Sequence, residues 1–273
     1  MGIVIGVDIG GSTTKICGFD SSKRLISPLL VKANDPLASF YGAFGKFTDE
    51  NNILLNQIDK VMITGVGSSF ISSQTIYGLP AFHVEEFDAI GLGGKFLSGL
   101  SNAIVVSMGT GTAIVHVNDT STVYLGGTGM GGGTLLGLSK LLINVGSIDN
   151  LCALAETGDI SNIDLRIGDM TSKNIIPTLP AHITASNFGK VSDVATHGDI
   201  ALGTINLVFE TIAMVAIFAA RSKNITDIVL TGNLTRIPIA SNLFKELNNL
   251  FHVNFLIPEN SQYGTVIGAA LLA

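Results

Sequence analysis

Twice along the chain, a run of β-branched and apolar residues breaks at a turn rich in glycine and hydroxyls and then resumes. Val4-Ile5-Gly6-Val7-Asp8-Ile9-Gly10-Gly11-Ser12-Thr13 passes into residues 14–19, and residues 103–108 pass through Gly109-Thr110-Gly111-Thr112 into residues 113–117. Each reads as a hairpin of two strands with a polar tip. A duplicated unit of this kind predicts two related lobes with a ligand between them. The boundary is expected near Leu100, giving residues 1–100 and 101–273, and 273 residues are enough for two cores.

Around the hairpins, hydrophobic spacing predicts helices over residues 36–47, 86–100, 134–145, 200–222, 239–250 and 264–273, and strands over 60–64, 80–84 and 227–230. Residues 168–187, with Pro177 and Pro180, read as an irregular insert. The stretch 200–220 is strongly apolar, but Asn206 and Glu210 interrupt it and Arg221 and Lys223 flank one end only. It is therefore expected to be a buried helix, not a membrane span.

Composition removes several function classes. Hydrophobic residues make up 47% of the chain against 13% charged, which excludes a disordered chain. A net charge of −6 with 15 Lys and Arg offers no positive field for nucleic acid or anionic lipid, so neither is an expected partner. Cys17 and Cys152 have no metal-ligand or CxxC spacing, and no secretory leader precedes the first strand, so a cytoplasmic location is expected.

The first tip, Asp8-x-Gly10-Gly11-Ser12-Thr13-x-Lys15, holds what metal-nucleotide handling needs: Asp8 for magnesium, held through water, and amides and hydroxyls for phosphate oxygens. The bland alternative is an ordinary hairpin turn. Gly109-Thr110-Gly111-Thr112 then becomes a second phosphate or substrate clamp. Gly131-Gly132-Gly133 opens a helix, where backbone amides attract anions, although glycines there also allow close packing. Glu85, Glu86 and Asp88 precede or open another helix, and capping is the usual role of such carboxylates. Phosphoryl transfer to an alcohol needs a positioned carboxylate, so one of the three is the candidate base.

In one order, Val84-Glu85-Glu86-Phe87-Asp88-Ala89, Met108-Gly109-Thr110-Gly111-Thr112, Gly126-Gly127-Thr128-Gly129-Met130-Gly131-Gly132-Gly133 and Thr184-Ala185-Ser186-Asn187-Phe188-Gly189 resemble type II pantothenate kinases. The likeness runs nearly end to end and takes in Asn162-Ile163-Asp164-Leu165, the long helix around Glu210, and Glu259-Asn260. It implies an α/β fold of the two-lobed actin-like, ribonuclease H-like (ASKHA) kind with an ATP cleft between the lobes. It also implies MgATP-dependent phosphorylation of the primary hydroxyl of pantothenate or N-substituted pantothenamides, and a homodimer formed through the long helix. By the same resemblance Glu86 is the base, and Asp8, Gly10, Gly11, Ser12, Thr13 and Lys15 form the phosphate and magnesium loop. Thr110, Gly111 and Thr112 fall in the substrate loop, Gly131, Gly132, Gly133 and Gly232 in the nucleotide cleft, and Tyr263 near the substrate channel, toward the partner subunit.

Two positions depart from the family pattern. Tyr124 stands where the family has a substrate-engaging Arg ahead of the glycine loop, and it cannot supply a guanidinium's charge or fork. Ala113 stands where a Ser ends the second turn, which removes a hydroxyl. Besides pantothenate kinase, the residues admit a related kinase for another small alcohol or sugar, an ATPase activator, or a nucleotide-binding regulatory protein without turnover. An activator would need clustered cysteines for an iron–sulfur centre, which Cys17 and Cys152 do not offer.

Overall fold

A computed structural model describes residues 2–11, 13–32, 35–171 and 180–273. The opening apolar run becomes β1 (Ile3–Ile9), paired antiparallel with β2 (Thr14–Phe19), and β3 (Leu25–Val31) continues the meander. After helix α1 (Pro36–Glu50) come β4 (Ile58–Thr64), β5 (Thr75–Ile76) and β6 (Leu79–His83). Together they make a six-stranded sheet in the order β3-β2-β1-β4-β6-β5, with β4 parallel to β1 and β6 parallel to β4.

Helix α2 (Glu86–Ser98) leads into the second half. There β7 (Ala103–Met108), β8 (Thr112–Val117) and β9 (Thr122–Thr128) form a second meander, followed by α3 (Gly132–Ile143) and α4 (Ile148–Ala155). A short ribbon of β10 (Leu165–Arg166) and β11 (Thr184–Ser186) brackets α5 (Ile167–Met170). The long α6 (His197–Ser222), β12 (Asp227–Thr231), α7 (Ala240–Phe251), β13 (Asn254–Leu256) and α8 (Gly264–Leu271) complete the chain. The second sheet has the order β13-β12-β7-β8-β9, with β12 parallel to both β7 and β13.

The duplication runs deeper than the hairpins, because β7, β8, β9, β12 and β13 repeat the pairing of β1, β2, β3, β4 and β6. Even the strand ends match: β4 ends at Thr64-Gly65 and β12 at Thr231-Gly232, each glycine having positive φ (+88° and +92°) and leading into a short 3-10 turn. A side chain at either glycine would run into the first strand of its sheet, at Ile9 O or Met108 O.

Local chemistry explains the helices. Asp35 accepts from Ala38 N to cap α1, Pro36 occupies its first turn, and Phe40, Phe44 and Phe47 recur on one face to fill the first core with Ile5, Val7 and Ile63. A reciprocal capping box between Thr196 and Asp199 starts α6, whose Ile205, Phe209, Ile212, Ala216 and Ile217 pack on Ile104, Val106 and Ile228 of the second sheet. Among the described residues α6 is the one single helix long and apolar enough to cross a bilayer; its apolar face lies in this core, as expected.

The two inner helices are exchanged. Ile90 of α2 packs on Val105, Val115 and Val229 of the second sheet, while Val266, Ile267 and Ala270 of α8 pack on Cys17 and Phe19 of the first. The two helices also cross at backbone distance: a Cβ on Gly93 would sit 1.8 Å from Gly264 O, and one on Gly268 would sit 1.8 Å from Ala89 O. A boundary drawn at residue 100 therefore follows the strands but leaves α2 and α8 each on the other half's sheet.

Several elements differ from expectation. β3 carries Pro28, which is tolerated because β3 is an edge strand. Gly126, Gly127 and Thr128, expected in a glycine loop, belong to β9, where Gly126 (φ +133°) accompanies a bulge in the β8–β9 pairing. Helix α4 and strand β13 were not expected. Within the expected irregular insert 168–187, β11 is a strand that pairs with β10 just ahead of it, and residues 172–179 lie outside those described.

Candidate active site

Antiparallel pairing sets Asp8 directly across from Lys15 at the base of the first hairpin, both buried (8% and 7% exposed). Gly10 N donates to Thr13 O at 2.9 Å to close the tip. Ser12, expected in the same loop, lies outside the described residues. Gly65 sits under the Asp8 carboxylate, where a Cβ would come within 2.5 Å of Oδ1. Nothing in the sequence pattern marked Gly65 as part of a site; the signal was the Thr-Gly it shares with the end of β12.

The structure separates the three carboxylates at α2. Glu85 and Asp88 are exposed, whereas Glu86 is half-buried and faces the first hairpin. Burial, then Asp8, pushes the Glu86 carboxyl above the usual range, with Lys15 opposing. Burial likewise raises Asp8 against the pull of Lys15, and holds the Lys15 ammonium below the usual lysine range against Asp8 and Glu86. Two acids and one base thus lie together, Asp8 and Lys15 buried and Glu86 half-buried. The connection that aims Glu86 is fixed by Val84 N donating to Ile63 O (2.9 Å) and Thr64 Oγ1 donating to Val84 O (3.1 Å).

The second hairpin meets the first tip to tip. A Cβ on Gly11 would lie 3.8 Å from Thr110 Oγ1. Gly109 N donates to Gly111 O, and Thr112 Oγ1 donates to Met130 O. The glycines opening α3 were expected to present free amides to an anion. Instead Gly132 N donates to Gly109 O (2.8 Å) and Gly133 N to Thr110 O (2.9 Å), and a Cβ on Gly131 would strike Thr110 O at 2.4 Å. Their work here is to seat the helix against the hairpin, and the two amides are already used. From the other side Asn233, next to Gly232, reaches the first tip by donating from Nδ2 to Thr13 Oγ1 at 3.4 Å.

Tyr124 on β9 stacks flat on Phe87, the neighbour of Glu86, with ring centroids 3.9 Å apart and planes 11° apart. The β9 bulge between the partners of Ile114 and Val115 sets its position. Tyr263 is half-buried beside the α8 core, its phenol pushed up by burial with Arg236 opposing. The remaining family-like segments converge elsewhere: buried Asp164 accepts from Thr184 Oγ1, Phe188 N and Asn206 Nδ2, and Asn187 Nδ2 bridges it to Glu210. That network ties the insert to α6. Two surface hollows, of about 360 Å³ beside His116 and Lys223 and about 160 Å³ between α6 and α7, share no residue with the hairpin cleft.

Among the described residues no three His, Cys, Asp or Glu side chains cluster as a metal cage. A single buried carboxylate beside a glycine-rich turn, such as Asp8, is nevertheless a donor set that suits magnesium when nucleotide phosphates complete its shell.

Comparison with known proteins bears on fold and family. Residues 45–251 match the family model described as Fumble. The type II pantothenate kinase of Bacillus cereus is 31% identical over 240 residues, covering 84% of this chain and 83% of the relative, and that of Staphylococcus aureus is 29% identical over 239 residues, covering 84% of each. Among solved structures, the activator of the 2-hydroxyisocaproyl-CoA dehydratase from Clostridium difficile with bound ADPNP superposes with a TM-score of 0.70 at 16% identity, covering 99% of this chain and 94% of that one. A ROK family glucokinase from Streptomyces griseus in complex with glucose and AMPPNP gives 0.63 at 14%, covering 100% and 99%. The fold is the two-lobed actin-like one of nucleotide-binding ATPases and kinases.

Proposed function

Because the chain belongs to the type II pantothenate kinase family, we propose that it moves the γ-phosphoryl group of ATP to the primary hydroxyl of pantothenate, giving 4′-phosphopantothenate at the first step of coenzyme A biosynthesis. The observation that carries the site assignment is the shared burial of Asp8, Lys15 and Glu86 where two glycine-rich hairpins meet.

In this reading Glu86 accepts the hydroxyl proton as the acceptor oxygen attacks the γ-phosphorus and ADP departs. A carboxylate with a raised pKa holds a proton better than an exposed one, which suits a base at neutral pH. Gly10, Gly11, Ser12 and Thr13 surround the phosphates, and Lys15 offsets charge on the transferring group. Asp8 would hold magnesium through water, and the ion would neutralise phosphate charge. Thr110, Gly111 and Thr112 line the acceptor side with Tyr124 and Tyr263, and Gly232 flanks the nucleotide. Gly131, Gly132 and Gly133 act by buttressing the second hairpin.

The stacked Phe87–Tyr124 pair supports an acceptor read by an apolar flank beside its hydroxyl. The same pair leaves a second reading, another small alcohol as acceptor. We assign residues 1–100 and 101–273 to the two lobes by their strands, the working form to a homodimer through α6, where Phe218 is 58% exposed, and the location to the cytoplasm. Incubating the protein with MgATP and pantothenate, sugars or no acceptor, then weighing the products, tests the function. Pantothenate gaining one phosphoryl mass supports it; phosphorylation of another acceptor only, or ADP release without any acceptor, overturns it.

A further inference from the structure

Among the described residues, the buried side-chain oxygens and nitrogens without a hydrogen-bond partner are Asn233 Oδ1 and Gln262 Oε1. Both stand in the loops that follow β12 and β13, at the edge of the cleft. A native chain keeps such an unpaired atom where a ligand or a movement completes it. Asn233 is also the residue through which the second half touches the first hairpin, by the 3.4 Å bond from Nδ2 to Thr13 Oγ1. That bond is longer than the ordinary range of about 2.7–3.2 Å.

The loop bearing Asn233 is braced on its own side. Gly232 N donates to Ser261 O (3.0 Å), Thr235 Oγ1 to Gly232 O (2.7 Å), and Ser261 Oγ to Thr235 Oγ1 (2.9 Å), while the positive φ of Gly232 fixes the direction in which the chain leaves β12. Any closer approach of the first hairpin to the second sheet would shorten the bond to Thr13 toward the ordinary range. In the duplicated half the matching position is Val66, exposed and apolar, so the device exists on one side only.

We propose that Asn233 is a positioning residue: a latch that ties the first hairpin tip to the second lobe, with a free Oδ1 that accepts an O–H arriving with MgATP, from a nucleotide hydroxyl or a metal-held water. The latch rests on the nucleotide-binding part of the reading above and not on the acceptor, so its test uses MgATP alone.

Calorimetric titration of MgATP into the wild type, Asn233→Ala, Thr13→Val and the double variant reads the coupling. Each single change is expected to weaken binding about five- to tenfold or more, the scale of one hydrogen bond, and the double variant to lose clearly less than the product of the two single losses, because both remove the one Nδ2–Thr13 tie. The acceptor KM of Asn233→Ala should stay at the wild-type value. A merely structural asparagine would lower the melting temperature of the free protein and leave MgATP affinity unmoved. Equal affinity of Asn233→Ala and wild type, or strictly additive losses, overturns the latch. The Asn233→Ala penalty should shrink to that of Thr13→Val or below without magnesium if the donor is a metal-held water, or with 2′- or 3′-deoxy-ATP if it is a ribose hydroxyl; a penalty undiminished under both overturns the role of Oδ1. Should Asn233→Ala fail to fold, Asn233→Ser takes its place, its hydroxyl being too short to reach Thr13.

Discussion

Glu86 earns its place through its surroundings, since Glu85 and Asp88 beside it carry the same functional group and stay in solvent. Glu86→Gln should lower kcat by about 10²- to 10⁴-fold, the usual worth of a general base, while MgATP still binds in calorimetry; undiminished turnover would remove Glu86 from the mechanism. Its raised pKa also predicts the pH profile. Turnover should climb from acid toward neutral pH with a midpoint above the ordinary carboxylate range, and the Gln variant should lose that limb. Stability runs the other way: for Asp8 and Glu86, carboxyls raised by folding, the contribution is fully present below the unfolded carboxylate pKa and is lost as pH rises through the folded values. Tyr124→Ala, which removes the stack on Phe87, should raise the acceptor KM several-fold with ATP KM unchanged, and Tyr124→Phe should behave as wild type; equal KM values in all three would discard the aromatic wall.

At the scale of elements, much was legible because the signals are local. Alternating apolar residues broken by Gly-Gly-Ser-Thr or Gly-Thr-Gly-Thr specify a hairpin wherever they stand, and the duplicated hairpins pointed correctly to two sheets. What stayed hidden depends on neighbours. Gly126 and Gly127 read as loop because a bulge looks like a turn in sequence. The amides of Gly132 and Gly133 looked available until the second hairpin was seen to occupy them. The exchange of α2 and α8 left a trace only in Gly93, Gly264 and Gly268, whose meaning is the contact they permit. Gly93→Ala or Gly268→Ala puts a methyl against backbone, and should cost about 3 kcal/mol or more, a fall of roughly 10 °C in Tm for a chain of this size. Calorimetric melting near the wild-type temperature would show that the helices can part without penalty.

For the whole molecule, the exchanged helices join the halves more firmly than a linker does. Asp8 belongs to the first sheet, and Glu86 rides on a helix seated on the second. The two carboxylates proposed for the reaction are thus held by elements packed on different sheets, with Val84 tying the start of the helix back to Ile63. Fragments 1–100 and 101–273 expressed apart should each be insoluble or unfolded by circular dichroism, since each sheet then lacks the helix on its inner face, and should regain ATP binding when produced together; a cooperatively folding single fragment would contradict this. The crossing of α2 and α8 also bears on how such a protein can change over time. Its two halves share one strand pattern, yet neither is a portable part: an insertion between strands of one sheet can be absorbed locally, whereas a change of residue size at the crossing must be answered in both halves at once.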